Sequence, residues 1–149
     1  CFMSKMFTFQ VPSANVFPLW RFETLKAKDY YPIREVFFKQ SSFISWDAEA
    51  CAFAIDEICF CGGFSLYASQ SEEKYAIIGE VQNSCLSIKE TNLPEDLLIS
   101  ALSALAQQKS CDRVRVNLPE FSTYAEPVKA GMGTGMREYS SCWLNFVLN

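Results

Sequence analysis

Histidine is absent from the 149 residues. Its absence removes Ser-His-Asp and Cys-His nucleophile systems, histidine general bases, His-ligated haem and the commoner zinc sites. No C-x-x-C occurs. The seven cysteines (Cys1, Cys51, Cys59, Cys61, Cys85, Cys111 and Cys142) are scattered. The nearest pair, Cys59 and Cys61, is too small a set for a four-ligand metal site, so no metal is expected. The cysteines read as small apolar residues of a protein in a reducing cytosol, and a cytoplasmic location is expected. No apolar run approaches the ~18 residues of a membrane span. The opening CFMSKMF lacks the basic, apolar and small-residue regions of a secretory leader. A basic excess is missing too. There are 13 Lys and Arg against 17 Asp and Glu, a net charge of −4. That argues against a phosphate-tracking surface, so neither nucleic acid nor membrane is an expected partner.

What is present is apolar. Hydrophobic residues make up 50% and aromatics 15%, with 13 Phe. A chain of this length is one domain, and it buries roughly 70% of its unfolded surface without help from metals or disulfides. Because it starts at Cys1, it is expected to be a piece of a longer protein, with its first residues belonging to a preceding domain.

Periodicity lays out the elements. Met6–Val11 alternates as a strand, and Pro12-Ser13-Ala14-Asn15 breaks it. Val16–Leu25 is extended, with Pro18 marking an edge or irregular start. Asp29 can cap a helix to about Gln40, with Tyr30, Ile33, Val36 and Phe37 on one face. Asp47 can cap a second helix, Ala48–Phe60, with Cys51, Ala54 and Ile58 on a stripe, Phe53 beside it and Gly62-Gly63 as its stop. Phe64–Ser69, Tyr75–Gln82 and Cys85–Glu90 read as strands joined by turns at Ser71-Glu72-Glu73 and Asn83-Ser84, hence antiparallel hairpins. The clearest helix runs from Leu93 to about Gln108, with Leu98, Ala101, Leu102 and Leu105 on one stripe. Asn92 and Glu95 suggest a capping box at its start. Cys111–Leu118 follows as a strand parallel to Cys85–Glu90, since a helix separates the two. After an irregular Pro119–Lys129, Val128–Met136 and Cys142–Leu148 read as closing strands. The aromatic set Tyr30, Tyr31, Phe37, Phe38, Phe43, Trp46, Phe53 and Phe60 exceeds one core face, so part of it is expected either in the core or at an interface. Gly131-Met132-Gly133-Thr134-Gly135 lacks the strand and helix of a phosphate loop, and reads as a bulge or close approach in a closing strand.

This order resembles the GNAT superfamily of N-acetyltransferases over nearly the whole chain from about Trp20. Three strings are similar to the C-terminal half of tandem GNAT-like proteins. They are Trp46-Asp47 before a helix, the helix end at Cys61-Gly62-Gly63, and the tail from Glu126 through Ala130-Gly131-Met132 to Trp143-Leu144-Asn145-Phe146. The resemblance implies an α+β fold: a mainly antiparallel mixed sheet of about six to seven strands with three helices on its faces. It implies a GNAT-like domain over 16–149, with 1–15 a linker or the last strand of an upstream half. It also implies an acyl-CoA donor, an amine acceptor and a Q/R-x-x-G-x-G/A loop whose amides hold the CoA pyrophosphate.

The matching stretch here is Glu90-Thr91-Asn92-Leu93-Pro94-Glu95-Asp96. It has no Gly, Arg or Lys, and Pro94 removes a donor. Glu95 and Asp96 put carboxylates where phosphates would sit, and at ~4 Å each unit-charge pair repels by about 1–4 kcal/mol. The family-equivalent cofactor positions Thr91, Asn92, Leu93 and Glu95 are therefore expected to be degenerate, with no cofactor bound by this half. Were the chain active, acetyl-CoA would be the donor. By family resemblance Glu80 and Glu90 are the candidate general bases, and Tyr139 or Tyr124 the candidate acid near the leaving thiolate. Solvent-facing carboxylates and packed tyrosines are the plainer readings of the same residues. Three functions follow. One is a non-catalytic half that shapes acceptor binding or assembly, partnered by an upstream GNAT half or by a second copy. Another is an active N-acetyltransferase with a non-standard loop. The third is a non-enzymatic ligand- or protein-binding module on the same scaffold.

Overall fold

A computed structural model describes residues 3–12, 19–38, 46–119 and 139–142. The elements, in chain order, are β1 (Met3–Gln10), β2 (Arg21–Thr24), α1 (Ala27–Phe38), α2 (Ala48–Phe60), β3 (Phe64–Ser69), β4 (Lys74–Gln82), β5 (Cys85–Thr91), α3 (Glu95–Gln108), β6 (Arg113–Pro119) and β7 (Tyr139–Cys142). The strands form one seven-stranded sheet in the order β2-β3-β4-β5-β6-β1-β7. Every pair is antiparallel except β5–β6, which α3 connects as the crossover that a parallel pair requires. This is the mixed, mainly antiparallel α+β sheet with three helices that the sequence pattern implied.

Local chemistry sets the element ends. The Asp47 carboxylate accepts from Ala50 N at 2.7 Å and starts α2 at Ala48. Gly62, at φ +90°, ends the α2 turn in a backbone state that suits glycine. Asn83 and Ser84 both have positive φ, the conformation of a two-residue hairpin between β4 and β5. Two caps differ from the sequence reading. α1 begins at Ala27, so Asp29 lies within its first turn, where its charge still suits the helix dipole. α3 begins at Glu95 with Pro94 at the cap position and no side-chain cap. Asn92 instead accepts from Ala76 N at 2.7 Å, while Thr91 Oγ1 donates to Ala76 O at 2.7 Å. β5 ends at Thr91 opposite Ile77, one residue short of Ala76. Its last side chains therefore satisfy backbone groups that the ladder no longer reaches.

Two cores lie on opposite faces. On the α3 face, Leu86, Ile88, Val114, Val116, Ile77 and Phe9 pack against Leu98, Leu102 and Leu105. Each fully buried Leu there contributes about 1.5–3 kcal/mol of transfer free energy. On the other face, α1 and α2 bring Tyr30, Cys51 and Ile55 onto Ala76, Ile78 and Leu25. Of the aromatic set, Tyr30 is buried, Tyr31, Phe37 and Trp46 are half-buried, and Phe53 and Phe60 are exposed. Phe53 thus stands away from the packed stripe of α2, whose buried residues are Cys51 and Ile55.

The segment read as a leftover of a preceding domain supplies β1, hydrogen-bonded between β6 and β7 of this sheet. Beyond β1, the chain is anchored to α3 at two points. Gln107 Nε2 donates to Pro12 O at 3.2 Å, and Trp20 Nε1 donates to Ser100 Oγ at 2.9 Å. β7 is described from Tyr139 to Cys142, and the remainder of the expected strand Cys142–Leu148 lies outside the described residues. The expected strand Val128–Met136, the glycine run within it and Tyr124 lie outside the described residues.

Candidate functional site

The site is built where β5 changes its behaviour. Ile78 pairs with Glu90 but Gly79 pairs with Ile88, so Lys89 is an extra residue in β5, a bulge. Gly79 permits it: a Cβ there would stand 2.4 Å from Ser87 O, closer than any side chain tolerates. The bulge has two consequences. It switches the face of the residues that follow it. Leu86 and Ile88 face α3, whereas Glu90 enters the α1–α2 side with Ile78. It also coincides with the end of the β5–β6 ladder. The last parallel pair is Ile88 with Val116, while β5 continues to Thr91 and β6 to Pro119. The two strands part there, and Asn117 Oδ1 is buried at the opening without a hydrogen bond.

Glu90 lies beneath α1. Its Oε2 accepts a hydrogen bond from Tyr30 Oη, and its Oε1 faces Arg34 Nε at 3.3 Å. Arg34, one helical turn after Tyr30, also lies over the Trp46 ring at 4.5 Å. Burial pushes the Glu90 carboxyl above its ordinary value, with Arg34 and Tyr30 opposing that shift. Burial and the neighbouring Glu90 raise the Tyr30 hydroxyl well above its usual range. Burial likewise takes the Cys51 thiol up to about 11, so it is a weak nucleophile at neutral pH. This cluster pins α1 and the start of α2 to the end of β5. Only Oε2 is hydrogen-bonded; Oε1 lies beside Arg34 without a hydrogen bond of its own, and both oxygens are buried beneath α1.

The other sequence candidates are spread around this point. Glu80 is half-buried on the same face and pairs with Lys89 at 2.8 Å. Tyr139 is a backbone position of β7 opposite Met6, two strands beyond β6. The fold therefore brings Glu80 and Glu90 to either side of Lys89 and leaves Tyr139 on a different strand group. Sequence reasoning missed Arg34 and Lys89, and it named Trp46 only in the aromatic set and in the string before α2. The one signal for Arg34 was its place four residues after the buried Tyr30.

The start of α3 engages two of its amides locally and lacks another. Leu93 N donates to Thr91 Oγ1 at 3.2 Å, Pro94 has no N–H, and Leu97 N donates to Pro94 O at 3.1 Å. The side chains of Thr91 and Asn92 are bound to Ala76, and Leu93 is fully buried. The amides of Glu95 and Asp96 remain, and their own carboxylates stand in that first turn. Among the described residues no group of three or more His, Cys, Asp or Glu could hold a metal, and no helix is long and apolar enough to cross a membrane.

No protein-family model matches the sequence, and no curated protein does. Solved structures do resemble the fold. A GCN5-related N-acetyltransferase from Kribbella flavida superposes with a TM-score of 0.60 at 14% identity, over 94% of this chain and 36% of its own length. A functionally unknown conserved protein from Staphylococcus epidermidis ATCC 12228 superposes with a TM-score of 0.54 at 7% identity, over 93% of this chain and 58% of its own. The chain thus spans well under two thirds of either neighbour. With its bulged β5, its parted β5–β6 pair and its α3 crossover, the chain has a GNAT-like fold.

Proposed function

We propose that this chain is the donor-site-degenerate, GNAT-like half of a larger N-acetyltransferase, and that it shapes acceptor binding or assembly instead of carrying the acyl donor. The amide economy at α3 is the observation that carries the reading. A diphosphate needs a set of convergent N–H donors at a helix start. Here Thr91 takes the Leu93 donor, Pro94 offers none, and the two remaining amides belong to Glu95 and Asp96. Those carboxylates favour the bare helix terminus by ~0.3–1 kcal/mol each and would repel a bound diphosphate. The residues present do not fit coenzyme A. Both structural neighbours extend beyond the part they share with this chain, which supports a larger protein of which this is one part. Calorimetry of this chain with acetyl-CoA should give no saturable heat, and micromolar binding would sink the proposal.

One feature favours a second reading, an active enzyme of the same class. β5 and β6 part beyond Ile88 and Val116, leaving backbone groups there that could polarise an acyl carbonyl. In that reading Glu80, the more accessible of the two strand carboxylates, is the better base. Acetyl transfer from labelled acetyl-CoA to any member of an amine panel would favour this reading over the first.

A further inference from the structure

We infer that the β6–β1 half of the sheet face on the α1–α2 side, which takes no part in the described packed core there, carries a binding subsite for the carboxylate of a small organic acid, centred on the exposed Arg115. The register places four polar side chains in one row across four strands. Glu80 on β4 is opposite Ser87 on β5, Ser87 is opposite Arg115 on β6, and Arg115 is opposite Thr8 on β1. Neighbouring members of the row stand about 4.8 Å apart, the spacing of strands in a sheet. Alternation sends Val114 and Val116 to the α3 core, so Arg115 faces the other way. On that other face the packed core consists of residues from α1, α2, β3, β4 and the turn after β2, and it takes none from β6 or β1. Arg115 is exposed and its flanking Ser87 and Thr8 are half-buried.

Charge selects the ligand. Glu80 is neutralised by Lys89, and Arg113 in the adjoining row is held by Asp112 at 3.1 Å and by Asn83 O at 3.1 Å. Among the described residues Arg115 has no carboxylate, carbonyl or ring partner. Among the described residues the row therefore presents one uncompensated positive charge, with a hydroxyl on each side. A planar guanidinium flanked by hydroxyl donors matches the two oxygens of a carboxylate. A single cation and no helix N-terminus suit a monoanion better than a phosphate dianion. This subsite goes beyond the function proposed above and does not depend on it, since it needs neither acyl donor nor turnover.

The test is an amide-resolved NMR titration of the whole chain with sodium butanoate, at ionic strength held constant with sodium chloride. Shifts should concentrate on Thr8, Ser87 and Arg115 and saturate with a dissociation constant on the order of millimolar. Arg115→Gln should abolish saturation, and Arg115→Lys should weaken it about fivefold, because the ammonium keeps the charge but loses the fork. Arg113→Gln should leave the titration unchanged, and Ser87→Ala gives a second, milder lesion at the site. Butylammonium should produce no shifts there. Saturation that survives Arg115→Gln, or shifts scattered over every surface cation, would refute the subsite. Tighter binding of inorganic phosphate than of butanoate would refute the monocarboxylate assignment.

Discussion

Under α3 the sheet buries Leu86, Ile88, Val114 and Val116 against Leu98, Leu102 and Leu105, with no buried charged group in the layer among the described residues. Under α1 and α2 it buries Arg34 and Glu90 close to Ile55 and Ile78. The first layer is held by area removed from water, and its cost for error is a cavity. The second is held in part by an ion pair whose members have each lost their hydration, so its cost for error is an orphaned charge. The same strand, β5, serves both layers, because the bulge at Lys89 turns its last residues over.

That contrast can be broken from either side. Arg34→Ala should have the largest effect, a loss of ~3–5 kcal/mol in urea unfolding, because Glu90 stays buried without its counter-charge. Pairing it as Arg34→Met with Glu90→Leu should recover most of the loss, and a double variant as unstable as the single would mean that the pair's charges are net stabilising. Leu102→Ala on the opposite face should cost about 3 kcal/mol, with no rescue from any charge change and no pH dependence of its own.

The smallest effect is a slope. Glu90 binds its proton more tightly in the folded chain than in the unfolded one. Its contribution to stability is therefore complete below the ordinary carboxylate range and is lost as pH rises through the raised value. Glu90→Gln should flatten that decline. Urea midpoints of the two proteins, compared between about pH 4 and pH 8, should diverge, and parallel curves would show that the carboxyl titrates alike folded and unfolded.

The sequence made the α3 layer legible and much of the opposite layer obscure, for physical reasons. The stripe Leu98, Ala101, Leu102 and Leu105 repeats with the helical period, and all four are buried. α2 and its Asp47 cap, the β3–β4–β5 hairpins and the parallel β5–β6 pair likewise follow from local signals. Val36 satisfied the same periodicity in α1 yet is 75% exposed, while Arg34 is 5% exposed. Its partner Glu90 lies far along the chain, and no local pattern announces it. The bulge was hidden for the same reason. Strict alternation would set Glu90 on the opposite face from the one it takes, and the register shift that turns it over sits at Gly79, where a Cβ would run into Ser87 O. At the start of α3, Asn92 and Glu95 had the spacing of a cap, but the unmet backbone of Ala76 claimed Asn92 first.

The position of β1 bears on how the chain is made. Its strand partners are β6 and β7, and Met3 pairs with Cys142. During synthesis β1 leaves the ribosome well before β6 and β7, so it must wait unpaired while the hairpins β3–β4–β5 assemble. Such long-range pairing is slow, and an idle strand with free edges is an invitation to mispair with another nascent chain. A brief encounter with a chaperone at this segment would protect the whole sheet.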